Sequence, residues 1–153
     1  MRGKYQRQLV GVFGDPVDDN PTVIMEQAAF DSEQIPMDYL TIQVKCGDLE
    51  NAMKGLRAMN FTGINITMPH KGEVLRYLDE VSESAQIMGA VNTIYWKDGK
   101  LAGENTDGKG FLKSLKDKQA IDTVITSVDG AAYHFATQNF PKAKIMVDRV
   151  NIR

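Results

Sequence analysis

The stretch Gly63-Ile64-Asn65-Ile66-Thr67-Met68-Pro69-His70-Lys71 decides the fold of this chain. Its alternation predicts a strand with Ile64 and Ile66 in the core and with Asn65 and Thr67 together on the other face. The strand stops at a proline, and a lysine follows. Polar side chains at the end of a buried strand are typical of ligand sites in α/β proteins. The stretch therefore predicts an α/β fold with a ligand site at this strand end.

A second stretch, Gly103-Glu104-Asn105-Thr106-Asp107-Gly108, has a similar arrangement with an aspartate in place of the lysine. We expect Lys71 and Asp107 to form a pair beside a small polar ligand. Reduction of a carbonyl by hydride also requires a proton, and a lysine held by an aspartate can carry that proton and orient the oxygen. Spacing alone leaves open the alternative that both side chains are solvated surface charges.

Neutral polar side chains also occur at or near predicted strand ends, namely Asn65, Thr67, Asn92 and Asn105. Amides and hydroxyls suit a polyhydroxylated ligand, because they donate and accept hydrogen bonds without the desolvation cost of a charge. The alternative is that they satisfy local backbone groups, which Asn and Thr often do at turns.

The composition narrows the class of protein. With 153 residues, 42% of them hydrophobic, the chain can bury a core. Its net charge is −2 with both signs interspersed, so it has no basic stripe for nucleic acid and no polybasic membrane anchor, and neither partner is expected. The single cysteine, Cys46, allows no internal disulfide or zinc-ligand spacing, and no metal site is expected. The first apolar run is too short for a signal or spanning segment, so we expect a cytoplasmic location.

The first βα unit is predicted near the start of the chain. A strand at 9–13 is followed by a turn and by a helix that Asn20 caps, with Pro21 at its first position. The apolar residues of this helix recur at helical spacing and are Val23, Ile24 and Ala28.

The second βα unit leads into the strand that carries Asn65. A strand at 39–44 precedes a helix capped by Asp48, whose apolar face consists of Leu49, Ala52, Met53, Leu56 and Met59. We expect the methionines of this face to fill gaps in the core. The third strand is expected at 61–67.

The next part of the chain predicts a mixed sheet. Short helices are expected at 71–77 and 82–88. Strands at 91–96 and 100–103 flank Asp98-Gly99, a dipeptide that favours a tight hairpin turn. Because a hairpin is antiparallel and βα units are parallel, the sheet should be mixed but mainly parallel.

A domain boundary is expected at about residue 117, where a helix over 108–117 ends. A strand at 123–126, a helix at 130–139 and a strand at 144–147 follow. The sequence therefore predicts one α/β domain at 1–117 and the start of a second α/β unit at 118–153.

The turn at the start of this second unit reads Ser127-Val128-Asp129-Gly130-Ala131. A nucleotide-binding turn needs glycine for its sharp bend and for close approach to the pyrophosphate. Only Gly130 meets this need, and Asp129 repels phosphate. The residues alone therefore argue against dinucleotide binding by the chain as it stands.

The two histidines match no spacing of a catalytic triad or metal site. We interpret His70, next to Lys71, as a structural hydrogen-bonding residue rather than a base.

Five ordered segments between about Leu9 and Leu115 resemble signature blocks of the shikimate dehydrogenase family. Three are Asn65-Ile66-Thr67-Met68-Pro69-His70-Lys71, Gly89-Ala90-Val91-Asn92-Thr93 and Asn105-Thr106-Asp107-Gly108-Lys109-Gly110-Phe111. The other two are Gly14-Asp15-Pro16-Val17 and Leu78-Asp79-Glu80.

The resemblance implies an amino-terminal α/β domain that binds shikimate and a Rossmann domain that binds NADP. It implies reversible hydride transfer at the ring carbonyl, a reaction of aromatic amino acid biosynthesis through chorismate. It also implies that Lys71 and Asp107 are the catalytic pair, and that Asn65, Thr67, Asn92 and Asp107 contact ring hydroxyls.

Two departures from the family pattern affect the ligands. Asn20 and Thr22 stand where the family usually has a Ser-x-Ser pair that holds the substrate carboxylate, so shikimate, quinate and related ring acids all remain candidates. In the nucleotide half, the resemblance assigns Gly130, Arg149 and Arg153 to the cofactor. NADP is expected, with NAD as the alternative because Asp148 favours a free ribose hydroxyl.

Most of a Rossmann domain is missing from the sequence, which suggests a truncated or degenerate chain. Two hypotheses compete with an active oxidoreductase. One is a non-catalytic module that binds a ring acid and has lost the cofactor site, and the other is an inactive fragment.

Overall fold

A computed structural model describes residues 7–116, 123–126 and 144–147 of the chain. The elements of the first range are β1 (Gln8–Gly14), α1 (Thr22–Ser32), β2 (Met37–Gln43), α2 (Leu49–Ala58), β3 (Gly63–Ile66), a 3₁₀ helix (Glu73–Tyr77), β4 (Glu80–Val81), α3 (Glu83–Met88), β5 (Thr93–Lys97), β6 (Lys100–Glu104) and α4 (Thr106–Lys116). The other two ranges are β7 (Thr123–Thr126) and β8 (Lys144–Val147).

The first six strands form a mixed sheet in the order β2-β1-β3-β5-β6-β4. β1 lies parallel to both β2 and β3, because α1 and α2 return the chain to the same end of the sheet. β5 runs antiparallel to β3 and β6, and β4 lies parallel to β6. β7 and β8 form a separate parallel pair. The predicted α/β class with a mixed, mainly parallel sheet is confirmed.

The core lies on both faces of this sheet. Phe13 belongs to the larger apolar cluster, to which α2 contributes, whereas the adjacent Val12 belongs to the smaller cluster beside α1. Tyr39 of β2 lies in the smaller cluster. Ile64 and Ile66 are buried in the larger cluster, as their alternation predicts.

The prediction for α1 is correct in part. The helix begins at Thr22, so Pro21 precedes its first residue, whereas Asn20 does cap a free amide, by accepting from the Thr22 amide at 3.0 Å. Ile24, which the helical spacing grouped with Val23, is 74% exposed. Val23 and Phe30, seven positions apart and thus on one face, make the contacts with the smaller cluster. Ile24 follows Val23 and points about 100° away around the helix.

The helix α2 forms where it was predicted, but the predictions for its capping residue Asp48 and for Met59 at its carboxyl end are wrong. Asp48 occupies the capping position, but its side chain makes no capping hydrogen bond. Met59, expected in the core, is 58% exposed. The helix ends at Ala58, and Asn60 adopts a positive φ of 60°, so the chain leaves the helical path before Met59 can pack.

The hairpin between β5 and β6 is confirmed. Asp98 and Gly99 both have positive φ, at 51° and 77°, which is the geometry of the two-residue turn that twisted strands prefer. Lys97 pairs with Lys100 across this turn. The turn chemistry in the sequence therefore sets the register of the hairpin.

Other predicted elements agree with the structure to within a few residues, whereas the two-residue strand β4 was not predicted. Ser82 caps α3 by accepting a hydrogen bond from the Ala85 amide at 3.3 Å. β7 and β8 match the strands predicted at 123–126 and 144–147. The helix expected at 130–139 lies outside the described residues.

The described residues also bear on the expectations about membrane spans, metal sites and Cys46. Among the described residues, no helix is both long enough and apolar enough to cross a membrane. The same residues contain no group of three or more His, Cys, Asp or Glu side chains arranged for a metal ion. Cys46 is exposed and free.

Candidate active site

The site lies where the carboxyl ends of β1 and β3 meet. The Thr67 amide donates to the Phe13 carbonyl at 2.9 Å, and the Asp15 amide donates to the Met68 carbonyl at 3.0 Å. Gly14 has no room for a side chain, because a Cβ there would lie 2.4 Å from Thr67 Cγ2. The turn after β1 therefore packs directly on the turn that leads from β3 to Lys71.

Lys71 and Asp107 meet at this edge of the sheet. Lys71 Nζ donates to Asp107 Oδ2 at 2.6 Å. The Val91 amide donates to the Lys71 carbonyl at 2.8 Å and holds the backbone of the lysine, and Asp107 lies in the first turn of α4. The side chains are 27% and 56% exposed, so the pair is open to a ligand. The contact expected from the two sequence stretches is present.

Asn92 bonds to the carboxylate oxygen of Asp107 that Lys71 does not contact. Its Nδ2 donates to Asp107 Oδ1 and to Thr106 Oγ1, both at 2.8 Å. Its Oδ1 accepts from the Thr106 amide at 2.8 Å. Because a backbone amide can only donate, this bond fixes which way the carboxamide points. Asp107 therefore accepts from an ammonium on one oxygen and an amide on the other.

Asn65 is held in place by a residue that the sequence analysis missed. Tyr39 OH donates to Asn65 Oδ1 at 2.9 Å, and Asn65 Nδ2 faces the Asn92 carbonyl and Thr93 Oγ1 at 3.4 and 3.5 Å. Tyr39 is buried, and burial together with the nearby charge of Glu26 raises its pKa to about 12. The sequence offers only one hint of this role of Tyr39, which is that an aromatic residue with a hydroxyl lies in a predicted strand.

Thr93 and Thr106 also join this polar network without having been predicted. Thr93 Oγ1 lies 3.3 Å from Asn92 Oδ1 and 3.4 Å from Thr106 Oγ1. Both residues stand within the blocks that carry the family resemblance, which is the signal that would have identified them.

Asn105, a candidate ligand contact in the sequence, has a structural role instead. It is 2% exposed, donates from Nδ2 to the Ala90 carbonyl, and accepts from the Gly108 amide, both at 3.0 Å. The alternative of local backbone satisfaction is correct for this residue. Thr67 lies at the site, partly buried, with its backbone bonded to Phe13.

His70 is structural, as its position beside Lys71 suggested. It is 1% exposed, and its Nε2 lies 2.5 Å from the Val44 carbonyl. A carbonyl only accepts, so Nε2 carries the proton and donates. This bond ties the turn before Lys71 to the residue that follows β2.

Asn20 and Thr22 lie at the start of α1, where Asn20 Oδ1 accepts from the Thr22 amide at 3.0 Å. Within the described ranges, no hydrogen bond joins either side chain to Lys71 or Asp107. The amide oxygen of Asn20 therefore serves the helix, which leaves its NH₂ group and the Thr22 hydroxyl for a ligand.

The predicted cofactor residues, Gly130, Arg149 and Arg153, all lie outside the described residues. The strands on either side of the predicted turn, β7 and β8, pair in parallel with Thr123 opposite Lys144. Dinucleotide-binding sheets are also built from parallel strands.

Comparison with known proteins agrees with the residue blocks. The family model of the shikimate dehydrogenase substrate binding domain matches residues 12–94, more than half of the chain. A shikimate dehydrogenase (NADP(+)) from Alkaliphilus oremlandii is 39% identical over 137 residues, which cover 87% of this chain and 48% of that protein.

Solved structures of similar proteins share the fold. Shikimate 5-dehydrogenase from Thermus thermophilus, in complex with NADP(H) and shikimate, has a TM-score of 0.80 and 31% identity over 94% of this chain and 56% of that one. A ligand-free 5-ketofructose reductase from Gluconobacter sp. strain CHM43 has a TM-score of 0.79 and 39% identity over 94% of this chain and 53% of that one. The chain spans about half the length of these relatives.

Proposed function

This chain belongs to the shikimate dehydrogenase family, and we propose that it provides the substrate-binding and proton-transfer part of an NADP-dependent oxidoreductase. The reaction is the reversible reduction of 3-dehydroshikimate, or of a related hydroxylated ring acid, to the alcohol. Residues 1–117 form the substrate-binding catalytic domain, and residues 118–153 belong to a dinucleotide-binding unit.

The observation that carries this proposal is the contact of 2.6 Å between Lys71 Nζ and Asp107 Oδ2. When bound, the reduced cofactor supplies a hydride to the carbonyl carbon. Lys71 Nζ then gives a proton to the oxygen, so that C=O becomes CH–OH. Asp107 stabilises the ammonium of Lys71 and orients it towards that oxygen. In the opposite direction Lys71 accepts the alcohol proton.

The neutral groups around the pair suit a ligand with several hydroxyls. Asn65, Thr67 and Asn92 contact ring hydroxyls in this proposal, while Asn20 and Thr22 hold the carboxylate. Shikimate and quinate are the first substrates to test. The similarity to a 5-ketofructose reductase adds 5-ketofructose, a polyhydroxylated ketone without a carboxylate, as a third test substrate.

A second candidate function is favoured by one observation, the aspartate Asp129 in the predicted phosphate-binding turn. A carboxylate there opposes a pyrophosphate. In this case the chain is a module that binds a ring acid without turnover, or an inactive fragment that binds neither ligand.

Two measurements on the chain separate these functions. Turnover is followed by nicotinamide absorbance with shikimate, quinate or 5-ketofructose, each with NADP or NAD in the matching redox state. Binding of shikimate and of NADP is measured by calorimetry. Turnover supports the oxidoreductase, and shikimate binding without NADP binding supports the module. A folded chain that binds neither ligand contradicts both of these and supports the inactive fragment.

A matched variant shows whether the measured turnover comes from the proposed site. Lys71→Ala removes the proposed proton donor, whereas Lys54→Ala removes a lysine from an exposed pair with Glu50 on α2. Turnover should fall at least about 100-fold in the first variant and persist in the second. Equal turnover in both variants would contradict the role of Lys71.

A further inference from the structure

A directional series of hydrogen bonds connects Tyr39, on β2, with Asp107. Tyr39 OH donates to Asn65 Oδ1 at 2.9 Å, and Asn65 Nδ2 donates to Thr93 Oγ1 at 3.5 Å, the longest step. Thr93 Oγ1 donates to Asn92 Oδ1 at 3.3 Å, and Asn92 Nδ2 donates to Asp107 Oδ1 at 2.8 Å. Each donor points towards the carboxylate, which accepts only.

The two carboxamides in this series are fixed by different means. A carboxamide has two orientations, which exchange its donor and its acceptor ends. The Thr106 amide fixes Asn92 by donating to its oxygen at 2.8 Å. Asn65 receives a hydrogen bond of 2.9 Å from Tyr39, while its own nitrogen makes only contacts of 3.4 and 3.5 Å. The Asn92 carbonyl, which only accepts, sets which end of Asn65 is the nitrogen, and the shorter bond from Tyr39 holds the carboxamide in place.

The environment of Tyr39 keeps its hydroxyl protonated. Its side chain is 5% exposed and packs in the apolar cluster beside α1. Burial raises the pKa of the phenol, with a further contribution from the charge of Glu26, so the hydroxyl keeps its proton throughout the neutral range.

We propose that Tyr39 is a positioning residue, whose hydroxyl holds the Asn65 carboxamide in one place for the ligand. The contacts of Asn65 Nδ2, at 3.4 and 3.5 Å, are long, so a ligand acceptor such as a hydroxyl oxygen can replace one of them with a shorter bond. The identity of the ligand rests on the proposed function, whereas the position of Asn65 does not.

The variant that tests this role is Tyr39→Phe, which keeps the buried ring and removes only the hydroxyl. We expect shikimate to bind about 10-fold more weakly, because the carboxamide then has to be ordered by the ligand. Tyr95→Phe is the matched control, since Tyr95 lies on the exposed side of β5 and outside this series. Its affinity for shikimate should equal that of the wild type.

A double-mutant cycle separates positioning from a general structural effect. If Tyr39 acts through Asn65, Tyr39→Phe should cause no further loss of shikimate affinity once Asn65→Ala is present. Full additivity of the two losses would overturn the proposal. So would a Tyr39→Phe variant that binds shikimate as tightly as the wild type.

Nuclear magnetic resonance of the ligand-free chain provides a readout that does not depend on shikimate. The side-chain NH₂ signals of Asn65 should move or broaden in Tyr39→Phe and stay unchanged in Tyr95→Phe. If the wild type does not bind shikimate, the proposed ligand is wrong, and these signals still decide the role of Tyr39. Unchanged Asn65 signals in Tyr39→Phe would overturn it.

Discussion

The ammonium of Lys71 donates to Asp107 at 2.6 Å, although the two residues are 36 positions apart in the sequence. The lysine follows the turn after β3, and the aspartate lies in the first turn of α4. The sheet brings them together because β5, which follows Asn92, pairs with both β3 and β6. An ammonium and the carboxylate that accepts its hydrogen bond therefore lie at one edge of the sheet.

Replacement of Lys71 by alanine should separate chemistry from stability. We expect turnover to fall by about 100- to 10,000-fold, the range for loss of a general acid or base. The free energy of unfolding should change by less than about 1 kcal/mol, because a partly exposed ion pair contributes little. Steady-state kinetics and urea denaturation measure the two effects. Strong destabilisation with unchanged kcat in the folded protein would instead indicate a structural lysine.

Replacement of His70 by phenylalanine should destabilise the fold. The Val44 carbonyl would lose its donor inside the core, and a buried unsatisfied group costs about 1–3 kcal/mol. Urea denaturation measures the loss. His70→Gln is the matched variant, because its NH₂ group can still donate, and it should recover part of the stability. If His70→Phe were as stable as the wild type, the bond to Val44 would be unimportant.

Two glycine-to-alanine variants should change stability in opposite directions. Gly99→Ala should cost about 1–2 kcal/mol, because φ there is 77° and a Cβ opposes the left-handed conformation. Gly110→Ala should stabilise by about 0.5–1 kcal/mol, because alanine is the better residue inside α4. A Cβ would meet no atom within 4 Å at either site, so the backbone conformation alone determines the change in stability. The two midpoints of urea denaturation should therefore move to opposite sides of the wild-type value.

Tyr39 should make the fold sensitive to alkali. Its pKa is about 12 in the folded chain against a reference of 10.0, so the folded state holds the proton more tightly. Between these values the unfolded state loses its proton first, and the free energy of unfolding should fall as the pH rises. The slope is at most about 1.4 kcal/mol per pH unit. Denaturation of the wild type and of Tyr39→Phe across this window measures it, and equal slopes would contradict the assignment.

Much of the framework could be predicted from the sequence, because its signals are local. Alternation placed Ile64 and Ile66 in the core, and Asp98-Gly99 marked a hairpin that the structure contains. Helical periodicity was a less reliable guide to which side chains are buried, because burial depends on how each helix packs on the sheet. Ile24 and Met59 satisfy a helical pattern but are exposed, since a pattern does not state where a helix ends or which face meets the sheet.

The candidate site was predicted in part. The resemblance of the blocks pointed to Lys71, Asp107 and Asn92, and these three residues are hydrogen-bonded to one another as a group. Asn105 looked equivalent in the sequence, yet it is buried and bonds to the backbone. Tyr39 was missed, because nothing near it in the sequence indicates that its hydroxyl reaches Asn65.

The sequence by itself determined the fold class, most of the elements and the residues that carry the family likeness. Spacing, turn residues and side-chain type act over a few neighbouring positions, so they can be read without knowing the sheet. The sequence predicted the pair of Lys71 and Asp107 but left open that both are solvated, and the tertiary structure decided that they meet. Only the tertiary structure shows that Tyr39 bonds to Asn65. These contacts depend on the order of the strands, since hydrogen bonds form across the sheet between residues that are distant in the chain.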